Sequence, residues 1–173
     1  VFYGSAMTEA PRCANEDVYI VGGANSAGQA AVYLSRSARS VTIVVRARTL
    51  EQSMSHYLIQ QIEQIDNISI RPCTEVVGVS GDDHLETITL RDNATDTSED
   101  VAAQWLFLFI GAAPGTDWLD GVVARDDRGF VLAGPDLMPD GVRPAGWELD
   151  RAPHHLETSV PGVFAAGDVA DQH

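Results

Sequence analysis

Gly22-Gly23-Ala24-Asn25-Ser26-Ala27-Gly28 follows directly on the apolar run Val18-Tyr19-Ile20-Val21. Glycines between a strand and a helix let the backbone turn tightly. The helix start that follows offers unpaired N–H groups and partial positive charge, which together suit a phosphate or pyrophosphate. With Gly22 as the first glycine of the G-x-G-x-x-G/A spacing, the second position is Ala24 and the third Ala27. Alanine at the third position packs helix on strand, whereas alanine at the second is a departure, because its Cβ points where a pyrophosphate would lie. The register one residue later, with Gly23, Asn25 and Gly28, fits worse. Arg46 and Arg48 flank Ala47 just past the β-branched run 41–45, where an acid would bind a ribose 2′-hydroxyl. Guanidinium groups there suit a 2′-phosphate instead. The plainer readings are a glycine turn serving only strand-to-helix geometry and a solvated arginine pair.

The other candidates carry less. Cys13 and Cys73 form no C-x-x-C and supply too few ligands for a zinc site. Two idle thiols in a reducing cytoplasm are expected rather than one disulfide. His154 and His155 are adjacent, so on a strand they would point apart and serve one ion poorly. Ser53, Ser55 and His56 lack a G-x-S-x-G elbow and are read as caps and surface. Asp82, Asp83, Asp126 and Asp127 are turn residues without EF-hand spacing. Trp105, Trp118 and Trp147 are assigned to core and loop packing. No catalytic residue and no metal site is assigned.

These groups need a scaffold. The spacing predicts a strand at 18–21, a helix at 27–38 with Ala27, Ala30, Ala31, Leu34 and Ala38 on its inner side, and a buried parallel strand at 41–45. Thr49 and Gln52 have capping-box spacing for a helix reaching about Ile65. Residues 68–70 make a third strand, which completes the β-α-β-α-β half of a doubly wound sheet. Residues 75–79 and 85–90 then read as antiparallel strands around Gly81, and 92–100 as a polar turn region. Residues 105–110 make a strong strand, 126–144 mostly loop with a short strand at 130–132, and 163–168 a last strand.

With 173 residues and 45% hydrophobic content the chain can bury one core. Its 25 acids against 11 bases leave a net charge of −14, which excludes nucleic acid and anionic membranes as general partners. No apolar run approaches the roughly 20 residues of a membrane span, and residues 1–10 show no signal peptide. The chain does not begin with Met and stops without a helix-stop signal, so both ends are expected to be cuts through a larger protein.

On these residues the chain resembles the NADPH-binding domain of thioredoxin reductase-like flavoproteins. The matching pieces are the turn 21–27, Arg46, the run 110–116 beginning Ile110-Gly111, and the run 158–169 ending Ala165-Ala166-Gly167-Asp168-Val169. The last is the most specific, and the resemblance covers the whole chain. Ser53-Met54-Ser55-x-Tyr57-Leu58 is similar to a subgroup in which some members carry a cyclic-nucleotide-binding module elsewhere. The resemblance implies a two-domain enzyme in which nicotinamide passes hydride to FAD. It implies that Asp168 helps hold the flavin's ribityl chain, and that the turn from Gly111 lies near the junction of the two domains, which Trp118 would face. The FAD-binding glycine motif belongs to an absent segment, so FAD is expected only in the full-length protein. The redox dithiol of such reductases falls here on Ser5 and Thr8, neither a thiol. Cys13 is solitary, and a different electron acceptor is implied. Arg46 matches the first of the family's two 2′-phosphate arginines, Ala47 replaces the second, and Arg48 substitutes.

The expected fold class is therefore α/β: a Rossmann-like three-layer nucleotide-binding domain with an antiparallel β-meander, followed by a fragment of the FAD-domain strand. The expected divisions are a leading segment 1–15, an NAD(P)-binding domain 16–120, and a loop-rich segment 121–173 that begins the C-terminal FAD-domain portion. The cofactor-binding candidates are Gly22, Gly23, Ala24, Asn25, Ser26, Ala27, Arg46, Arg48, Gly111, Gly167 and Asp168. NADPH would be the cofactor. The partners would be the missing FAD domain of the same protein and an unidentified electron acceptor, in a cytoplasmic homodimer. The alternative is a degenerate nucleotide-binding-fold module with an interaction or regulatory role, which Ala24, Ala47 and the missing cysteines favour.

Overall fold

A computed structural model describes residues 1–4, 6–111 and 113–170. The chain forms two units, Val1–Ile110 and Gly111–His173.

The first unit has strands β1 (Phe2–Tyr3), β2 (Asp17–Val21), β3 (Ser40–Val44), β4 (Ile68–Arg71), β5 (Thr74–Ser80), β6 (Thr87–Asp92), β7 (Thr97–Ala102) and β8 (Trp105–Leu108). Its helices are α1 (Ala6–Glu9), α2 (Asn25–Leu34) and α3 (His56–Glu63). A parallel sheet runs in the order β1-β8-β2-β3-β4, and β5-β6-β7 form a separate antiparallel sheet.

The layers follow from the two-residue alternation of side chains along each strand. Val18, Ile20, Val41, Ile43 and Phe107 share one core with the buried residues of α2 and α3. Val44 and Leu106, with Tyr19, Val21 and Leu108 packed around them, share a second core with Ile88 and Leu90 of the meander. The central strands are thus apolar on both faces, as expected for parallel strands covered on both sides. The result is helices, parallel sheet and antiparallel meander: the expected three-layer α/β fold.

α2 is built from small residues, with Ala27, Gly28, Ala30 and Ala31 all buried. Gly28 lowers helix propensity by about 1 kcal/mol, yet a Cβ there would lie 2.6 Å from Leu58 Cδ2 and 2.8 Å from Met54 Sδ. It lets α3 and the segment before it pack close. α2 ends at Leu34 rather than 38, where Ser35 and Ala38 close turns onto Ala31 and Leu34.

Several expected elements differ. The helix expected from Thr49 begins only at His56, with Ser55 as its N-cap. Leu50 and Met54 are instead buried in the helix-side core, and the chain between them runs as turns. Residues 97–102 form β7, not turn: only Val101 joins the core, because β7 is an edge strand facing solvent. The true turn is at 93–96, where Asp92 Oδ1 accepts the Ala94 and Thr95 N–H groups. β1 was not legible at two residues; Phe2 stacks on Trp105 and Phe107.

The second unit contains two short 3₁₀ turns, Asp117–Leu119 and Gly134–Leu137, and isolated bridges. The expected strand at 163–168 reduces to a bridge between Glu157 and Phe164, since no further strand in the described part of the unit builds a ladder with it. Val131 bridges Arg125 and Ala170 and, with Ala165, forms a small core. The side chain of Glu157 is fully buried and accepts two hydrogen bonds from Arg151 and two from the backbone N–H groups of His154 and Gly162. The Arg151 bonds, then the backbone bonds, hold this carboxyl well below its ordinary 4.5. A depressed folded-state value stabilises the fold above the unfolded value and loses that contribution as pH falls.

Two outcomes follow. Glu157→Gln should lower the melting temperature near neutral pH and flatten the acid limb of stability below about pH 4.5; an unchanged acid limb in thermal melts from pH 7 to pH 3 contradicts this. Gly22→Ala should cost about 3 kcal/mol, because φ is +147° and the new Cβ would press on the backbone carbonyl of Phe109. An unchanged urea midpoint would show that the β2 end tolerates a side chain.

Candidate functional site

Both helical crossovers, β2 to β3 and β3 to β4, build the sheet in one direction, while β8 lies on the other side of β2. The carboxyl end of β2 is therefore the topological switch point, where open α/β sheets bind ligands. The glycine turn emerges there. Phe109 N–H donates to Val21 O at 2.7 Å, and Gly22 N–H to Val44 O at 3.1 Å, so both neighbouring strands clamp the turn. A Cβ on Gly22 would also meet Ala27 Cβ at 3.1 Å, and Ala27 is fully buried. The third-position alanine thus does pack helix on strand. Gly23 leaves room for Val45, whose Cγ2 would lie 2.8 Å from an added Cβ.

Ala24 is the N-cap of α2, exposed and in ordinary extended backbone (φ −95°, ψ 177°), so its position makes no demand for glycine. No side chain caps the helix. The N–H groups of Asn25, Ser26 and Ala27 consequently have no intrahelical acceptor. Asn25 and Ser26 are exposed beside Ala24. The structure thus brings Gly22 to Ala27 together as one turn and helix start.

Arg46 and Arg48 leave the adjacent end of β3. Val45 N–H donates to Arg71 O, Thr74 N–H to Val45 O, and Cys73 N–H to Ala47 O, each at 3.0 Å. The backbone on either side of Arg46 is fixed while its side chain is exposed. The chain's 11 basic residues are all arginine. Nine have an acidic or aromatic partner. Of the 11 arginines, all within the described residues, only Arg46 and Arg48 have no ion pair, hydrogen bond or ring contact. In a chain of net charge −14, two exposed, unpaired arginines two positions apart after β3 are groups that could hold an anion.

By residue type Ser53, Ser55 and His56 read as caps and surface. Ser55 does occupy the N-cap of α3. Ser53, however, donates from Oγ to Gly23 O at 2.8 Å, and Ser55 N–H donates to Asn25 Oδ1 at 2.8 Å. The signal was the buried pair Leu50 and Met54, which pins this segment over the turn.

Gly111, Gly167 and Asp168 belong to the second unit. Both glycines have φ of +83° with open space beyond. Asp168 is an exposed turn acid, and among the described residues it has no hydrogen-bond or ion-pair partner. Alone these features identify no flavin contact. Thr8 lies on α1, while Ser5, Ala112 and residues 171–173 lie outside the described residues. The Cys13 thiol is fully buried and pushed up to about 11, first by burial and then by the charge of Glu9, so it is no nucleophile at neutral pH. Trp105 and Trp147 pack, the latter donating to Arg151 O at 2.7 Å, but Trp118 is exposed. Among the described residues, no helix is long and apolar enough to cross a membrane.

Comparison with known proteins agrees with this geometry. The family model described as pyridine nucleotide-disulphide oxidoreductase matches residues 5–173. The chain is 31% identical to an alkyl hydroperoxide reductase component of Staphylococcus epidermidis, over 95% of this chain and 28% of that protein. It is 31% identical to thioredoxin reductase of Chlamydia trachomatis, over 92% of this chain and 45% of that protein. It therefore spans less than half the length of these relatives. Its fold matches crystal structures of the thioredoxin reductases of Lactococcus lactis (TM-score 0.77, 22% identity, 99% of this chain and 50% of that one) and T. acidophilum (TM-score 0.76, 24% identity, 99% and 50%). The chain belongs to the pyridine nucleotide-disulphide oxidoreductase family.

Proposed function

We propose that the chain is the NADP(H)-binding portion of a flavin-dependent oxidoreductase that passes hydride from NADPH to FAD. The single observation that carries the NADP(H) reading is the free pair Arg46 and Arg48 beside an uncapped helix start at the sheet's switch point. Gly22, Gly23, Ala24, Asn25, Ser26 and Ala27 receive the pyrophosphate through backbone N–H groups and the helix dipole. Arg46 and Arg48 take the 2′-phosphate as charged donors. When bound, the dihydronicotinamide supplies the hydride; this chain contributes binding and orientation.

FAD is held by the full-length protein, with Gly111, Gly167 and Asp168 on the flavin side. The partners are the FAD domain of the same protein, a second copy in a homodimer, and a terminal electron acceptor. No C-x-x-C occurs in the chain. With Cys13 buried, a dithiol relay within this portion is not part of the proposal, and electrons leave the flavin by another route. The proposed setting is the cytoplasm.

Calorimetric titration of the intact protein with NADPH and NADH tests the reading. NADPH should bind at least tenfold tighter. Arg46→Gln and Arg48→Gln should each weaken NADPH by about tenfold, the worth of one charge-assisted hydrogen bond, and leave NADH little changed. Equal affinities would remove both arginines from the site. Binding of neither nucleotide would favour the degenerate interaction module.

A further inference from the structure

We infer that the segment from Leu50 to Ser55 is a strap that holds the glycine turn in its phosphate-binding shape, with Ser53 as a positioning residue for the dinucleotide. The inference rests on the nucleotide reading above and adds a residue argued to act through the turn.

Ser53 and Ser55 grip the turn on either side of Ala24. Ser53 Oγ donates to Gly23 O, and Ser55 N–H donates to Asn25 Oδ1, both at 2.8 Å. Each bond has a consequence for the phosphate site. A trans peptide is planar, with its C=O and the following N–H pointing in opposite directions. Tying the Gly23 carbonyl to the strap therefore aims the Ala24 N–H away from the strap. Asn25 is the first helical residue after the N-cap Ala24, and its side-chain oxygen is an acceptor set beside the open helix start. Here that oxygen is engaged by Ser55, and α2 has no side-chain cap. The strap thus leaves the first N–H groups of α2 for a ligand.

The strap is itself anchored. Leu50 and Met54 are almost fully buried, and Met54 Sδ lies where a side chain on Gly28 would be. Met54 N–H donates to Leu50 O at 2.9 Å, closing the strap into a turn. An anchored strap bonded to two residues of the turn sets their orientation before the nucleotide arrives, which lowers the ordering cost of binding.

The test is titration of the intact protein and its Ser53→Ala, Ser53→Thr and Arg46→Gln variants with both NADPH and NADH. Ser53→Ala should weaken both nucleotides by the same factor, roughly three- to tenfold for one lost hydrogen bond, and leave their affinity ratio unchanged. Ser53→Thr, which keeps the hydroxyl, should restore both affinities. Arg46→Gln should change the ratio instead. Unaltered affinities in Ser53→Ala, with the ratio still shifted in Arg46→Gln, would overturn the strap and leave the nucleotide reading standing. A loss in Ser53→Ala that Ser53→Thr fails to recover would also overturn it. Absence of nucleotide binding by the unaltered protein overturns both readings.

Discussion

The structure turns on the missing side chain of Gly22. At the end of β2 the chain passes so close to the Phe109 carbonyl and to Ala27 that no Cβ fits, and φ is +147°. That approach lets α2 start directly above the sheet, with Ala27 buried against the turn. It also fixes what the turn can do. A helix launched from the switch point of a parallel sheet presents its unpaired N–H groups where the strand order reverses. The rest of the first unit supports that launch: β3 and β8 clamp the turn from both sides, and the meander covers the opposite face of the sheet.

Charge distribution is what the proposed phosphate preference rests on. A chain of net charge −14 repels phosphates over most of its surface. Nine of its 11 arginines are engaged by acids or aromatic rings. Arg46 and Arg48 stay free on a backbone segment whose neighbours are hydrogen-bonded on both sides. Ala24 sits exposed in unstrained backbone, and Arg48 stands free two positions beyond Arg46.

The parallel half of the fold was legible because its signals are local. The apolar runs at 18–21 and 41–45, the small residues of α2 and the glycines of the turn each state their own conformation. β7 was not legible, because an edge strand of Thr, Ser, Glu and Asp carries the composition of a loop and is defined only by its pairing with β6. The helix starts at His56 and not at Thr49 because Leu50 and Met54 serve tertiary burial instead of helical periodicity. Residue type alone picks out the candidate glycines and arginines, whose ligand role belongs to the proposal. It does not pick out Ser53, since its role depends on a hydrogen bond thirty positions back in the chain.

The most direct test of the central claim is a titration of the isotope-labelled protein with adenosine 2′,5′-bisphosphate, followed by backbone amide and arginine Nε resonances. This fragment carries both phosphates of the adenosine end and no nicotinamide. The account predicts the largest shifts at the N–H groups of Ala24, Asn25 and Ser26 and at the side chains of Arg46 and Arg48. Shifts confined to other surfaces, or none at millimolar ligand, would contradict it.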